Sequence, residues 1–497
     1  MSREAERDAR GAAVNVLGLL AGAALPAFHV QLARFLGAAG YGLYTWSATF
    51  VDLFSVITLF GCDQAVMRQV SLSHDVRAVG TALRVVLVSG VLVFLFVFFA
   101  APYVAEAAHK PGLVGPLRCL ALVPIAYHAS TILLVATQAL GVMKWAFWAR
   151  SIAQPLVLLG TTSLALRAGY GPSGAAAAVA IGMGATAIVS LVLYARELPL
   201  GETLRAIVSG PLDRQTLRVA FPLVLASLAW ALVARVDAFF LARWGTESEL
   251  GAYAACVLYA ASITQMRGAF EPTTSALVAP ALSKGDTAGL GAAIRRQTRW
   301  LALVAFPLAA VFIGFGDPLL AVFGHGFSQG TLALAVLAIG HVANALALSS
   351  FVLPLSGNGR FTTLVAVATL VVQSALGFAL VPKLGILGAA LALSGGLVFA
   401  QTTQIVLVAR LTKVRGISPD VILVAACAAV GLGAGRALYF AFGAFVPGPL
   451  VLRFATSIAA AAIVYAIAAW VFALEREDRA LATSALRRAH VFWRILW

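Results

Sequence analysis

Long apolar runs separated by short polar segments occupy almost the whole of this 497-residue chain. Each run holds about 20 or more predominantly apolar residues, which is enough for a helix to cross about 30 Å of hydrocarbon. Because the runs do not alternate between apolar and polar positions, as barrel strands do, they predict an all-α membrane protein of about fourteen transmembrane helices. The predicted spans are residues 12–33, 43–66, 79–101, 114–139, 147–168, 172–194, 216–242, 250–271, 298–320, 331–356, 361–382, 385–410, 419–442 and 449–472.

The second half of the chain repeats features of the first half in the same order. At an offset of 209 residues, Leu32, Ala33, Arg34, Gly42 and Tyr44 recur as Leu241, Ala242, Arg243, Gly251 and Tyr253. At an offset of 214 residues, Gly171, Gly174, Ala175, Ala176, Ala178 and Gly182 recur as Gly385, Gly388, Ala389, Ala390, Ala392 and Gly396. Two matches in one order predict a duplicated six-helix unit, and many transporters are built from repeated halves.

The repeat divides the chain into four predicted segments. Residues 1–200 form an N-terminal six-helix lobe, and residues 201–415 form a second six-helix lobe, the internal repeat. Residues 416–474 hold two further transmembrane helices. Residues 475–497 mix arginines with tryptophan, phenylalanine and aliphatic side chains, which predicts a basic amphipathic tail on the cytoplasmic leaflet, with binding of a partner protein as the alternative.

Composition and charge agree with a lipid environment. The chain is 61% hydrophobic and 11% charged, with a mean hydropathy of +0.94. With the N-terminus inside, 26 of the 35 basic residues fall on the cytoplasmic side, so both termini are predicted to be cytoplasmic. The net charge of +15 is then a signal for orientation. We expect contacts with anionic membrane lipids and no nucleic-acid partner.

Reactive residues are not grouped as covalent chemistry would require. The sequence has no glycine-rich phosphate loop, no H-E-x-x-H motif and no cysteine–histidine cluster, so we expect neither a catalytic site nor a metal site. The four cysteines are interpreted as small core residues. A polytopic enzyme that polymerises or ligates lipid-linked glycans is the more remote alternative, because such enzymes typically present a sizeable outer loop and this chain has none.

Charged residues within or at the ends of the spans are the candidate site residues. Arg235 and Asp237 interrupt the seventh span, where a charge costs about 2.5–3.5 kcal/mol and normally faces a cavity or a partner. Residues two apart point to opposite sides of a helix, so these two are expected to find separate partners. The other candidates lie in the first, second and eighth spans: Arg34, Asp52, Arg68, Arg267 and Glu271. For Arg34, Arg68 and Arg267, the alternative is snorkelling to lipid phosphates.

Several short motifs resemble those of the Wzx-type oligosaccharide flippases, the polysaccharide biosynthesis and export proteins of the multidrug/oligosaccharidyl-lipid/polysaccharide superfamily. The motifs are Asn15–Gly18, Leu32-Ala33-Arg34, Gly40-Tyr41-Gly42, Gly61-Cys62-Asp63, Asp237 with Leu241, Gly251 with Tyr253, and Gly385–Ala390. The resemblance implies two six-helix bundles around a central cavity and alternating access. It also implies a polyprenyl-diphosphate-linked oligosaccharide as substrate, a bacterial cytoplasmic membrane as location, and polysaccharide assembly proteins as partners of what we expect to be a monomer.

On this basis the substrate-binding residues are predicted to be Arg235, Arg68, Arg267 and Arg34. Coupling to protons or Na⁺ is assigned to one of Asp237, Asp52 and Glu271, and no other cofactor is expected. Two functions of the same superfamily remain as alternatives, a lipid II flippase and a multidrug cation antiporter. The first span holds no carboxylate like that which many multidrug exporters use, and the typical N-terminal stretch of lipid II flippases is not evident.

Overall fold

The computed structural model describes residues 24–73, 75–209, 227–346, 352–353, 359–414, 420–445, 450–474 and 479. All regular structure within these residues is helical, which confirms the predicted all-α fold. The first half of the first predicted span lies outside them, as do the motif at Asn15–Gly18 and, apart from residue 479, the predicted amphipathic tail.

The helices follow one another with short connections. In the first half they are α1 (Ala24–Leu59), α2 (Cys62–Ser73), α3 (Val76–Ala107), α4 (Val114–Leu120), α5 (Val123–Ala139), α6 (Gln154–Arg167), α7 (Gly171–Tyr194) and α8 (Leu200–Ser209). They continue with α9 (Val236–Trp244), α10 (Glu247–Ser283), α11 (Thr287–Gly314), α12 (Gly316–Ala321), α13 (Thr331–Leu346), α14 (Gly359–Leu384), α15 (Ile386–Thr412), α16 (Asp420–Phe445) and α17 (Leu450–Ala468). Shorter turns are Pro111–Leu113, Lys144–Ala146 and Ser328–Gly330, with π-helical turns at Phe147–Ala153 and Ala469–Ala473.

Ten helical stretches of the described chain are long and apolar enough to cross a membrane, so the protein is a multi-pass membrane protein. One of them, Pro26–Ser73, combines residues of the first two predicted spans. The number of stretches therefore cannot be compared directly with the number of predicted spans. The count of fourteen therefore stays a prediction. The predicted span 114–139 is divided between α4 and α5, because Ala121 and Leu122 form a turn and Pro124 begins the next helix.

Both halves contain a bend at equivalent positions. α1 is interrupted at Gly37, whose backbone φ angle of 66° is one that residues other than glycine rarely adopt. The residue 209 positions later is Thr246, which separates α9 from α10 with extended backbone angles. Thr246 and Glu249 form a capping box that satisfies the first N–H groups of α10. Each half therefore has a helix that reaches the bend and a second helix that turns back from it.

The two bends bring a pair of repeat-matched glycines into contact. A Cβ atom at Gly42 would lie 2.2 Å from the carbonyl oxygen of Glu247, and one at Gly251 would lie 1.9 Å from that of Ala38. α1 and α10 therefore cross with their backbones touching, as small residues allow in membranes. The matched pair found in the sequence is thus a direct contact between the two halves.

Gly251→Ala is expected to destabilise the protein by about 2 kcal/mol, because the added methyl group overlaps a backbone carbonyl that cannot rotate away. The matched control is Gly184→Ala, where a Cβ meets nothing within 4 Å and alanine favours the helix. Thermal unfolding in detergent should show a lower midpoint for the first variant only. Equal midpoints would contradict the close crossing.

Helix packing follows the two halves of the chain. In the first half, α5 and α6 pack on α7, and α3 packs on α5. In the second half, α13 packs on α10, α11 and α15, while α9 packs on α14 and α15. α16 and α17 pair with each other, and α16 rests on α11. The lobe boundaries near residues 200 and 415 stay predictions. α1 with α10 forms the main contact across the first, and α11 with α16 forms the main contact across the second.

Candidate functional site

A cavity of about 560 Å³ lies between the first and second halves of the chain. Its walls come chiefly from α1, α5, α6 and α7 on one side and from the start of α9 and α10 on the other. The polar side chains that line it are His29, Thr45, Thr49, Asp52, Ser55, Gln154, Arg235, Asp237 and Gln265, and the aromatic ones are Phe28, Tyr41, Tyr44, Trp46, Tyr127 and Tyr253. Apolar walls with a few polar groups are typical of binding sites of this size.

Arg235 lies at a break in the helix that the sequence predicted to be continuous from residue 216 to 242. Residues 227–233 are helical, residues 234 and 235 form a turn, and α9 starts at Val236. The guanidinium donates to the carbonyl oxygen of Ala231 at 3.1 Å, so the side chain itself satisfies a carbonyl group at the end of the preceding helix. Trp244 lies nine positions after Arg235, about 13 Å of helical rise, so a span whose outer end lies near Trp244, as the sequence predicts, holds Arg235 near the middle of a 30 Å hydrocarbon layer.

The second partner of Arg235 is Asp52 of α1, which forms an ion pair with it across the cavity. The Asp52 side chain is 58% exposed and that of Arg235 is 23% exposed. An ion pair open to water contributes only about 0–1 kcal/mol, so it can be exchanged for another partner at little cost. The guanidinium is therefore held in place while remaining available to a stronger anion.

Asp237 has different partners, as the sequence predicted. Its carboxyl group is buried and accepts a hydrogen bond from the hydroxyl of Tyr253 on α10 and one from Gln373 Nε2 on α14 at 3.3 Å. The next carbonyl oxygen, that of Ala238, accepts from Trp46 Nε1 at 3.0 Å. The start of α9 is thus anchored to both halves of the chain.

The remaining predicted site residues lie away from the cavity wall. Arg68 is exposed on α2, and Arg267 is half-buried on α10, where it donates to the carbonyl oxygen of Asn344 at 3.3 Å. Arg34 is exposed near the bend in α1 and donates to the carbonyl oxygen of Val322 at 2.8 Å. The side chain of Glu271 lies outside the described residues. Binding roles for these arginines stay predictions, and the described cavity brings together only Arg235, Asp52 and Asp237 from the predicted set.

Two basic residues seal the end of the molecule that is predicted to face the cell exterior. Lys110 is buried, and its ammonium donates at 2.7 Å to the carbonyl oxygens of Ala242 and Gly245, which end α9. Burial lowers the pKa of Lys110, while the nearby carboxylates of Glu247 and Glu249 act in the opposite direction. Lys110 belongs to the first half and caps a helix of the second, as a cation at a helix C-terminus should. The bond from Arg34 to Val322 also joins the two halves.

Lys110→Met is expected to loosen this seal, because two buried carbonyl groups lose a charged donor worth about 1.5–3 kcal/mol. A cysteine placed at buried position Ala38 should then react at least about tenfold faster with a membrane-impermeant maleimide. Lys383→Met, which removes an exposed lysine at the same predicted end, should leave the rate unchanged. An unaltered rate in the first variant would exclude the sealing role.

Two residues beside the cavity were missed at the sequence level. Gln154 lines the cavity at the start of α6, and Arg150 reaches Tyr127 from the π-helical turn before it. Arg150 is one of the 26 basic residues that the sequence analysis assigned to the cytoplasmic side. The sequence signal that could have identified Arg150 is Pro155, five residues later, since a proline disturbs the helical turn that precedes it.

Arg436 of α16 makes its contacts within the protein. Its guanidinium donates to the carbonyl oxygen of Gly314, the last residue of α11, at 2.7 Å and stacks 4.7 Å above the ring of Phe440. The free carbonyl groups at the end of α11 explain this preference, because a cation there completes the helix. Arg436 therefore attaches α16 to the second half.

Comparison with solved structures identifies the fold. The chain superimposes on an inward closed conformation of the lipid II flippase MurJ with a TM-score of 0.69 at 12% identity, over 92% of this chain and 98% of that one. An inward-facing multidrug resistance transporter of the MATE family in the MOP superfamily gives a TM-score of 0.64 at 15% identity, over 80% and 94%. A MOP superfamily transporter from Pyrococcus furiosus gives 0.58 at 14% identity, again over 80% and 94%. The fold is that of MOP superfamily transporters.

Sequence comparison gives the family. No curated protein matches the chain. Residues 9–285, more than half of its length, match the family described as polysaccharide biosynthesis protein. This agrees with the resemblance carried by the motifs around Arg34, Gly42 and Asp63 in the first half. The chain belongs to the polysaccharide biosynthesis protein family.

Proposed function

We propose that the protein is a flippase that moves a polyprenyl-diphosphate-linked oligosaccharide across the bacterial cytoplasmic membrane by alternating access. The observation that carries this proposal is the guanidinium of Arg235, held at mid-membrane depth on the wall of a cavity between two halves. The polysaccharide biosynthesis family and the fold of MOP superfamily transporters support it.

The chemistry of the cavity suits an anionic headgroup. Guanidinium presents a planar fork of N–H donors that matches phosphate oxygens bidentately, and it keeps its charge at every physiological pH. A diphosphate carries more charge than the Asp52 carboxylate and would displace it from Arg235. The sugar would occupy the wet part of the cavity while the prenyl chain stays in lipid.

Displacement of Asp52 also offers a route to ion coupling. A carboxylate that has lost its guanidinium partner is ready to take up a proton or Na⁺, so binding of the anion and of the coupling ion would be linked. Asp237 is less suited, because Tyr253 and Gln373 already bind its buried carboxyl group. We therefore favour Asp52 over Asp237 for this role, and Glu271 remains a candidate from sequence alone.

The charges on the cavity wall also bear on the two alternative functions, a multidrug cation antiporter and a lipid II flippase. A multidrug cation antiporter would need the cavity to attract a cation, whereas the described wall presents Arg235 and pairs its exposed carboxylate with it. A lipid II flippase would carry the same diphosphate, and the likeness to MurJ in fold keeps it as the second candidate. Anionic lipids around the basic cytoplasmic ends, polysaccharide assembly proteins as partners and action as a monomer complete the proposal.

A flipping assay in liposomes tests it. Purified protein would be reconstituted with a short-chain prenyl diphosphate oligosaccharide of neutral sugars, and the outer-leaflet fraction followed over time with an impermeant sugar oxidant. Protein-dependent flipping is expected. Parallel vesicles would contain lipid II or a cationic dye with a pH or Na⁺ gradient. Exclusive flipping of lipid II would transfer the protein to the second candidate, and dye efflux alone would refute the proposal.

A further inference from the structure

Arg150 lies on the π-helical turn Phe147–Ala153 that leads into α6. The N–H of Gln154 bonds to the carbonyl oxygen of Ala149, five residues back, and Pro155 has no N–H to offer to the same turn. The proline therefore explains why the helix widens here. Single π turns inside helices are frequent at functional sites, so the side chains that this turn presents need an explanation.

The side chain of Arg150 points along α5, away from the end of that helix that is predicted to be cytoplasmic. Its guanidinium donates to Thr131 Oγ1 at 2.5 Å and to Tyr127 Oη at 3.4 Å, and lies 5.0 Å from the centre of the Tyr127 ring. Thr131 and Tyr127 precede Ala139, the predicted cytoplasmic end of α5, by eight and twelve residues, about 12 and 18 Å of helix. An arginine that snorkelled to the headgroups would point the other way.

The partners of Arg150 within the described residues are hydroxyl groups, and no described carboxylate lies within ion-pair distance of it. Arg235, by contrast, has Asp52 as its counter-ion. A cation at this depth is costly to hold without an anion. The two hydroxyl groups orient the guanidinium and leave its charge unbalanced.

The orienting residues connect Arg150 to the cavity. Tyr127 lines the cavity from α5, and Gln154, four residues after Arg150, lines it from α6. Arg235 lines the same cavity from the turn before α9, which belongs to the other half of the chain. Arg150 lies directly behind the wall that Tyr127 forms, so one guanidinium group lines the cavity from the second half and another is in contact with its wall in the first half.

We propose that Arg150 is a second oxyanion-binding residue, which holds a phosphate or carboxylate group of the substrate against the first half while Arg235 holds the diphosphate against the second. The proposal rests on the proposed function and adds that the substrate connects the two halves through its own charges. The chemical class is an oxyanion of the lipid-linked glycan, from either its diphosphate or an acidic sugar.

The test compares dissociation constants for two probes in detergent, a prenyl diphosphate disaccharide of neutral sugars and its counterpart with one uronic acid. Arg150→Gln should weaken binding about 10- to 100-fold, because a charge-assisted bidentate contact is lost. Arg150→Lys keeps the charge but loses the planar fork of N–H donors, so its dissociation constants should lie between those of Arg150→Gln and those of the wild type. Weaker binding of both probes assigns the oxyanion to the diphosphate. A loss confined to the uronic acid probe assigns it to the sugar.

Arg196→Gln is the matched control, since Arg196 also lies beside an aromatic ring, that of Trp145 at 5.7 Å, but is exposed and away from the cavity. It should bind both probes as the wild type does. If Arg150→Gln does not fold, Arg150→Lys and Tyr127→Phe carry the test, the latter because it removes one orienting hydroxyl group. Wild-type affinity for both probes in the folded Arg150 variants would overturn the proposal.

Failure of this inference can be told apart from failure of the proposed function. Absence of flipping by the wild-type protein would count against the function. Binding of inorganic pyrophosphate to the detergent-solubilised protein would still examine Arg150 directly. Weaker binding of pyrophosphate or of free glucuronate by Arg150→Gln than by Arg196→Gln supports the oxyanion site, and equal binding of both anions by the two variants, when the wild type binds them, refutes it.

Discussion

Arg235→Ala is expected to reduce flipping of a diphosphate-linked oligosaccharide to about 1% of the wild-type rate. The variant loses a charged hydrogen-bonding partner of the substrate, which in a desolvated site costs about 2–5 kcal/mol. It also leaves Asp52 in the cavity without its counter-ion, so a negative charge now repels the diphosphate. The measurement is the rate in proteoliposomes at equal amounts of inserted protein.

Two further variants separate these causes. Arg167→Ala removes an exposed arginine at the end of α6 and should flip at the wild-type rate. Arg235→Ala combined with Asp52→Asn should recover part of the loss, because the repelling charge is gone although the phosphate ligand is still missing. A single Arg235→Ala variant that flips normally would remove this residue from the site.

Asp52→Asn on its own is expected to change binding and transport in opposite directions. Without a competing carboxylate on Arg235, the diphosphate should bind about fivefold tighter, the factor that corresponds to an exposed ion pair of about 1 kcal/mol. Flipping should slow and lose its response to a pH or Na⁺ gradient, because no carboxylate returns to Arg235 to help release the anion.

The result is read from two numbers for each variant, a dissociation constant and a flipping rate. Asp63→Asn is a suitable control, because Asp63 lies in the first turn of α2 and does not line the cavity. It should leave both numbers unchanged. Weaker binding by Asp52→Asn would show that this carboxylate attracts the substrate or its ion, contrary to the competition described above.

Hydrophobic patterning predicted the fold well because every span must be apolar to lie in lipid. It also showed which charges would be unusual, and Arg235 and Asp237 do find separate partners, although the reason differs from the one expected: Arg235 lies in the turn before α9 and Asp237 lies in the first turn of that helix. The break at Arg235 was not predictable. Nothing in the local sequence signals it, since the carbonyl freed at Ala231 is satisfied by the arginine itself.

Pairings between distant residues were beyond sequence reasoning for a physical reason. Asp52 and Arg235 are 183 positions apart, and their contact depends on how α1 and α9 are rotated about their axes. Hydropathy does not record that rotation. Lys110 is a similar case, because nothing in the residues around it indicates that it is buried on the carbonyl groups that end α9, 132 positions away. The repeat did carry spatial information, since Gly42 and Gly251 touch.

If a positively charged cavity carries an anionic headgroup through the membrane, transport must depend on the charge that joins the prenyl chain to the sugar. The measurement compares flipping of two probes with the same prenyl chain and the same neutral oligosaccharide, one joined by a diphosphate and the other by an uncharged linker. Protein-dependent flipping of the diphosphate probe alone is the predicted result. Equal rates for the two probes would contradict the account.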